Sequence, residues 1–271
     1  MTDLPPNRTA VPNRLGVSAL VDDRGLVIEM DDIQAEVLHH GVLRLSVLTF
    51  LADVSAGVTL DTDPGAWTFT TDLSLFMPVR RAPGRVTTTT TVVRQGRRSA
   101  HALVDVVDER RQLLAAGAIG FAHVPRKAGD PPKPRVTPQM MAQRFANPGR
   151  LSSPLRQEAG IVQVDPEHGV VEIEVRPEVC NPAGTLQGAM VALIAEAAAE
   201  DLVGSLAGQP VAVTEMDIRY LAQANVGPVR TQSRLIGSRP EDPVEVRLVD
   251  TSNGRTTTVV YARVRPVPAT L

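Results

Sequence analysis

An internal repeat limits what this chain can fold into more than any other feature does. One offset of 143 positions relates a glycine, a carboxylate and a threonine of the first half to counterparts in the second half: Gly41 to Gly184, Asp53 to Glu196 and Thr71 to Thr214. The same offset aligns alternate residues of one strand, which share a face: Leu73, Leu75 and Met77 with Met216, Ile218 and Tyr220. A constant register over a turn, a helix and a strand indicates two copies of one structural unit.

Each half is predicted to hold a hairpin, a long helix and four strands, because Val and Thr dominate the strand segments and apolar residues recur at helical spacing in the others. In the first half the predicted segments are a hairpin of 17–21 and 26–30, a helix over 42–57, and strands over 67–77, 84–93, 99–107 and 113–124. In the second half they are a hairpin of 161–164 and 170–175, a helix over 186–206, and strands over 211–221, 229–236, 244–249 and 256–264.

A long apolar helix followed by four strands indicates the α+β class, with an antiparallel sheet wrapped around the helix. One such sheet leaves an edge and a face uncovered, which two paired copies would protect. We therefore expect a first domain over 16–124, a Pro-rich linker over 125–151 with a short helix at 138–145, and a second domain over 152–267.

Composition excludes several classes of function. Aromatic residues make up 3% of the chain and the net charge is −2, which argues against a nucleic-acid partner. The single Cys180 rules out a disulfide framework, and no histidine spacing suggests a metal site. The polar N-terminus has no signal-peptide pattern and no apolar run spans a membrane, so we expect a cytoplasmic protein without a membrane partner.

The start of the second long helix carries the motif of a known family. Residues 181–189 read NPAGTLQGA, and Glu196 follows eight residues after Gly188. This segment resembles the hotdog thioesterases of the phenylacetyl-CoA and 4-hydroxybenzoyl-CoA type. Their pattern is Asn, Gly, His-Gly-Gly, and then Asp or Glu eight residues after the first Gly of that pair. The segment 51–57 around Asp53 is similar to the centre of the family's helix.

The resemblance implies a double hotdog, with two tandem hotdog domains that each wrap an antiparallel sheet around a long central helix. It further implies an acyl-CoA substrate, hydrolysis without a cofactor or metal ion, and a homodimer of double hotdogs. The sequence departs from the family in both halves. Gln187 replaces the His and Ala189 replaces the second Gly, while the first half has Leu38 in the place of Asn181 and Arg-Leu-Ser at 44–46.

Helix geometry decides which residues can act together. Eight residues of helix separate Gly188 from Glu196 by about 12 Å, whereas reacting atoms approach within about 3–3.5 Å. The opposite helix must therefore complete each site, as it does across the subunit interface in the family. Two mixed sites result, and only the first has a complete set of parts: Asn181, Gln187 and Gly188 with Asp53, and Leu38, Arg44 and Leu45 with Glu196.

The residues of the first mixed site have both functional and structural interpretations. The Gly188 N–H could stabilise the negative charge of an attacked thioester carbonyl, and Asp53 could act as general base or as nucleophile. Asn181 and Gln187 could orient the water or the carbonyl. Alternatively, Gly188 permits close packing, Gln187 bonds the helix end and Asn181 forms a turn. Glu200 and Asp201 are expected to be solvated or interfacial charges.

Three functions follow from these patterns. An acyl-CoA thioesterase is the leading hypothesis. A non-catalytic acyl-CoA-binding hotdog protein is the second, because the His-Gly-Gly motif has drifted. A hotdog hydratase ranks last. That family has an Asp five residues before its His, and no histidine of this chain has an Asp at that position.

Overall fold

The computed structural model describes residues 9–22, 25–129, 133, 136–181 and 183–269. Two long helices, α1 (Leu45–Leu60) and α4 (Gly188–Ala207), pack against each other and against a large antiparallel sheet. Two short helices, α2 (Pro138–Arg144) and α3 (Leu155–Glu158), lie between the two long helices in sequence. The chain therefore has a mixed α+β architecture.

The sheet has twelve strands, and a separate two-stranded hairpin precedes α1. The hairpin is β3 (Leu38–His39) with β4 (Val42–Leu43). The order across the sheet is β1-β2-β6-β7-β8-β5-β11-β14-β13-β12-β10-β9. Its strands are β1 (Ser18–Asp22), β2 (Gly25–Met30), β5 (Ala66–Phe76), β6 (Val86–Gln95), β7 (Ser99–Asp108), β8 (Leu113–Pro125), β9 (Val162–Asp165), β10 (Val170–Ile173), β11 (Val211–Tyr220), β12 (Val229–Leu235), β13 (Val244–Asp250) and β14 (Arg255–Pro266).

Both long helices are apolar on nearly all sides, which suits helices enclosed by a sheet. Most residues of α4 are buried alanine, valine, leucine and isoleucine, and the helix ends at Gly208, whose φ of 62° is left-handed. Strand β7 alternates buried and exposed residues along its length, so one face of the sheet covers the helices and the other faces outwards.

Strands β5 and β11 pair at the centre of the sheet. Ser74 lies directly opposite Asp217, and its hydroxyl donates a hydrogen bond of 2.5 Å to the Asp217 carboxylate. These two residues are 143 positions apart. The pairs on either side, Leu75 with Met216 and Leu73 with Ile218, keep the apolar residues of both strands on the helix side.

The predicted segments agree with the structure except at their ends. The first helix begins at Leu45 rather than at residue 42, because Val42–Leu43 pairs in β4 and Arg44 has the extended backbone of a helix cap. The turn at 23–24, parts of the predicted linker (130–132 and 134–135) and Pro182 lie outside the described residues. Within the described part of the chain, no helix is long and apolar enough to cross a membrane.

Candidate active site

Asp53 faces the start of the opposite helix. It lies in the third turn of α1 and is partly buried. Its Oδ1 accepts a hydrogen bond of 2.6 Å from the Thr70 hydroxyl. Its Oδ2 lies 3.6 Å from the position that a Cβ on residue 188 would occupy. The structure thus brings together Asp53 and Gly188, which are 135 residues apart in the sequence.

A β-bulge aims Thr70 at Asp53. Thr70 pairs with Phe121 and Asp72 pairs with Gly120, so Thr71 is an extra residue in β5. Such bulges re-aim side chains and occur near functional sites. Strand β11 has the equivalent irregularity between Val213 and Glu215. Sequence reasoning missed Thr70, because a threonine in a run of strand residues gives no signal of where its hydroxyl points.

The N-terminus of α4 leaves one backbone donor available. Gln187 is the cap residue, and its side-chain oxygen accepts a hydrogen bond of 2.6 Å from Ala189 N–H. Among the residues that the structure describes, no acceptor binds Gly188 N–H. Unpaired N–H groups and the helix dipole make this end attractive to negative charge.

Glycine at position 188 allows two side chains to approach the first turn of α4 closely. A Cβ there would lie 3.3 Å from the Tyr220 hydroxyl oxygen, closer than an ordinary van der Waals contact, and 3.6 Å from Asp53 Oδ2. The Tyr220 hydroxyl donates a hydrogen bond of 3.2 Å to the Gly188 carbonyl oxygen. Tyr220, Asp53 and Gly188 therefore converge on one small volume between α1, α4 and β11.

Burial controls the charge state of this cluster. Desolvation raises the pKa of Asp53, and the hydrogen bond from Thr70 opposes that rise. Desolvation and the nearby negative charge of Asp53 raise the pKa of Tyr220 well above its ordinary value, so Tyr220 keeps its proton at neutral pH. The cluster contains one carboxylate with increased basicity and one neutral hydroxyl donor.

Asn181 makes local hydrogen bonds in the loop before α4. Its Oδ1 accepts hydrogen bonds from Ala183 N–H (2.9 Å) and Thr185 N–H (3.3 Å), and its side-chain nitrogen donates to the Thr185 hydroxyl (2.9 Å). These are the contacts of a turn former. The contacts of Gln187 are likewise those of a helix cap, so orientation of substrate by either amide stays a prediction.

Glu196 fills the equivalent position at the start of α1. Its Oε1 accepts a hydrogen bond of 2.7 Å from Leu45 N–H, and its Oε2 accepts one of 2.5 Å from the Ser46 hydroxyl. Arg44 lies 3.5 Å from the same Oε2. Glu196 is 1% exposed, and this helix end has its N–H group satisfied by the protein itself.

Glu200 extends this cluster, so of its two expected positions the solvated one is wrong and the interfacial one agrees with its contact to Arg44 of the first half. It is 5% exposed and accepts a hydrogen bond of 2.9 Å from Arg44. Arg44 Nη2 also contacts His39 Nδ1 at 3.1 Å. Because arginine only donates, His39 Nδ1 is the acceptor and the ring is neutral. Burial, with the charge of Arg44, lowers the pKa of His39 to about 3. Asp201, next along α4, forms an ion pair with Arg156.

The carboxylate side chains that lie near the two helix ends differ in length by one methylene group. At the start of α1, the longer Glu196 reaches Leu45 N–H and caps it. At the start of α4, the shorter Asp53 is held by Thr70 and leaves Gly188 N–H uncapped. The start of α4 therefore has an available donor near a carboxylate, which suits binding of a polarised carbonyl oxygen. Leu38, the remaining member of the second combination, lies in β3 beside a surface cavity rather than in this cluster.

Metal binding has no visible support in the described chain, where no group of three or more His, Cys, Asp or Glu residues is placed to hold an ion. The side chains of the candidate site are a carboxylate, two hydroxyls and two amides. Such groups act by hydrogen bonding and proton transfer.

Comparison with known proteins defines the fold. No family model matches the sequence, and no curated protein matches it. Solved structures do match over nearly the whole chain. A tesB protein of Mycobacterium avium subspecies paratuberculosis has a TM-score of 0.61 at 12% identity, covering 95% of this chain and 98% of its own. An acyl-ACP thioesterase from Bacteroides thetaiotaomicron has 0.56 at 13% identity, covering 88% and 97%.

A third solved structure shares the same architecture. The 12:0-ACP thioesterase from Umbellularia californica matches with a TM-score of 0.57 at 10% identity, covering 89% of this chain and 96% of its own. The chain therefore has the hotdog fold of these solved thioesterases.

Proposed function

We propose that this chain is an acyl-CoA thioesterase whose active site lies between two tandem hotdog domains, residues 16–124 and 152–267. The single observation that supports it most is that Gly188 has an uncapped N–H and that a Cβ at this position would lie only 3.6 Å from Asp53 Oδ2. The fold shared with solved thioesterases is consistent with this reaction.

The central strand pair supports the tandem arrangement. Strands β5 and β11 pair antiparallel about Ser74 and Asp217, residues that the repeat itself equates. The strands then follow outward from β5 and from β11 in corresponding order, and both central strands have a bulge at the equivalent threonine, Thr71 and Thr214. A pseudo-twofold axis through this pair would place each long helix opposite the other.

The proposed reaction uses water and the two helices. The thioester carbonyl oxygen accepts a hydrogen bond from Gly188 N–H, which stabilises the negative charge of the tetrahedral intermediate. Asp53 Oδ2 takes a proton from the attacking water, and its raised pKa makes it an effective base. The C–S bond then breaks, and the proton passes from Asp53 to the departing thiolate. The products are a carboxylic acid and free CoA.

The remaining predicted site residues have supporting roles in this proposal. Gln187 satisfies Ala189 N–H and so holds the first turn of α4, while Asn181 shapes the loop that leads into it. Glu196 belongs to a second site that is not hydrolytic, because its carboxylate occupies the position that a carbonyl oxygen would need.

The proposal is tested by incubating the protein with a panel of acyl-CoAs and measuring the released CoA with a thiol reagent. Wild type should release CoA, and Asp53→Asn should lower kcat by about 10²- to 10⁴-fold through loss of the base. Asp53→Glu should be nearly as impaired although it keeps a carboxylate, because the longer side chain can cap Gly188 N–H as Glu196 caps Leu45.

Glu196→Gln is the matched control, and it should keep most of the activity. Loss of hydrolysis in Glu196→Gln but not in Asp53→Asn would show that the assignment of the site is wrong. Tight binding of acyl-CoA without release of CoA would favour the alternative, a non-catalytic acyl-CoA-binding protein in which Gln187 stands where the family has His.

A homodimer of double hotdogs and a cytoplasmic location complete the proposal. The exposed face of the sheet includes Phe76 and Leu103, each 51% exposed, and Tyr261, 40% exposed. Light scattering on the purified protein measures its oligomeric state directly.

A further inference from the structure

Tyr220 is the last residue of β11 and points to the helix side of the sheet, in the same alternation as Met216 and Ile218. Its hydroxyl donates a hydrogen bond of 3.2 Å to the Gly188 carbonyl oxygen. That carbonyl belongs to the first turn of α4, where the helix also supplies a backbone donor four residues later. The Tyr220 hydroxyl bond is therefore not needed to satisfy the carbonyl group.

The position of the hydroxyl matters more than its present acceptor. It lies 3.3 Å from the point where a Cβ on residue 188 would be, and Asp53 Oδ2 lies 3.6 Å from the same point. Hydroxyl and carboxylate thus approach the same side of Gly188 from two elements. A ligand carbonyl oxygen that accepts a hydrogen bond from Gly188 N–H would lie near both groups.

The corresponding residue of the first half cannot donate a hydrogen bond to a bound carbonyl. The repeat equates Tyr220 with Met77, whose thioether has no hydrogen to donate. The two helix ends therefore differ in a second respect besides the length of the facing carboxylate. The end with the uncapped N–H also has the hydroxyl donor.

We propose that the Tyr220 hydroxyl is a second donor to the thioester carbonyl oxygen, acting together with Gly188 N–H as negative charge develops on that oxygen. This inference rests on the proposed thioesterase function. The hydroxyl exchanges its bond to the Gly188 carbonyl for a stronger, charge-assisted bond to the oxyanion. It stays protonated throughout, so it stabilises charge and transfers no proton.

Tyr220→Phe tests the inference while retaining the buried ring. Loss of one oxyanion donor should lower kcat by about 100-fold, with little change in KM, because the bond strengthens only in the transition state. The chain has two tyrosines, so Tyr261→Phe, on the outer face of the sheet, is the matched control and should keep wild-type kcat. Circular dichroism and thermal unfolding confirm that both variants fold.

Binding of two CoA analogues separates donation to the oxyanion from a merely structural role. A trifluoromethyl ketone analogue of acyl-CoA offers an oxyanion-like oxygen, and an S-alkyl-CoA thioether offers none. Tyr220→Phe should weaken binding of the ketone by a factor similar to its loss of kcat and leave the thioether unaffected. Equal weakening of both analogues, or a kcat within about twofold of wild type, would overturn the inference. A wild-type protein that hydrolyses no acyl-CoA would instead overturn the proposed function.

Discussion

Asp53 and Thr70 form a pair in which a hydroxyl sets the basicity of a carboxylate. Burial raises the pKa of Asp53 and the Thr70 hydrogen bond opposes that rise, because it stabilises the charged form. A general base works only when deprotonated, so activity should fall as pH drops through the pKa of Asp53. The acid limb of kcat/KM should therefore lie above the pH range in which an ordinary aspartate titrates.

Thr70→Val should move this acid limb to still higher pH. Without the hydroxyl, nothing opposes the effect of burial, and Asp53 becomes protonated at a higher pH. The measurement is kcat/KM against pH for wild type and variant. Thr71→Val is the control, since the Thr71 hydroxyl bonds Asp72 and not Asp53. An unchanged limb in Thr70→Val would contradict a role for Asp53 as the base.

The start of α1 depends on a buried group of charges from both long helices. Arg44 lies against Glu200 at 2.9 Å and Glu196 at 3.5 Å. Burial raises the pKa of both carboxyls, and Arg44 opposes that rise. Arg44→Met should cost about 3–5 kcal/mol of unfolding free energy, as expected when one partner of a buried ion pair is removed.

The cost of Arg44→Met should grow with pH. Losing Arg44 raises the folded-state pKa of both carboxyls further. A group whose pKa is raised by folding loses its stabilising contribution as pH rises through that pKa. Losing Arg44 also removes one of the causes that lower the pKa of His39, and protonation of His39 beside Glu200 at low pH would reduce the cost there, in the same direction. Urea unfolding at pH 5 and pH 8 measures the difference, and Arg81→Met, which removes an exposed arginine, is the control. A larger cost at pH 5 would contradict this assignment of charges.

At the scale of elements, the sequence predicts what is local and repeated. The sequence predicts the strands rich in Val and Thr and the apolar helices, because both patterns depend on neighbouring residues. It also predicts the 143-residue register, which follows from comparing the two halves. The sequence does not predict the burial of Glu200, because its partner Arg44 is 156 positions away. The aim of the Thr70 hydroxyl depends on a bulge, and a one-residue shift in a strand leaves no mark in composition.

The whole molecule places each half of the candidate site on a different half of the chain. Asp53 and Thr70 come from the first half, while Gly188 and Tyr220 come from the second. Helix α1 packs against α4, and β5 pairs with β11. Activity should therefore depend on this contact and not on the covalent connection between the halves.

A protease site inserted between the exposed residues Ala128 and Gly129 tests that dependence. The cut protein should elute as one species and keep its rate of hydrolysis within about twofold, because the continuous sheet and the packed helices still hold the halves together. Its unfolding midpoint should depend more steeply on protein concentration than that of the uncut control, because the cut protein must also reassemble each molecule from two fragments. Separation of the fragments in native buffer with hydrolysis retained by either one would show that the site is not shared, since Asp53 and Gly188 would then have come apart.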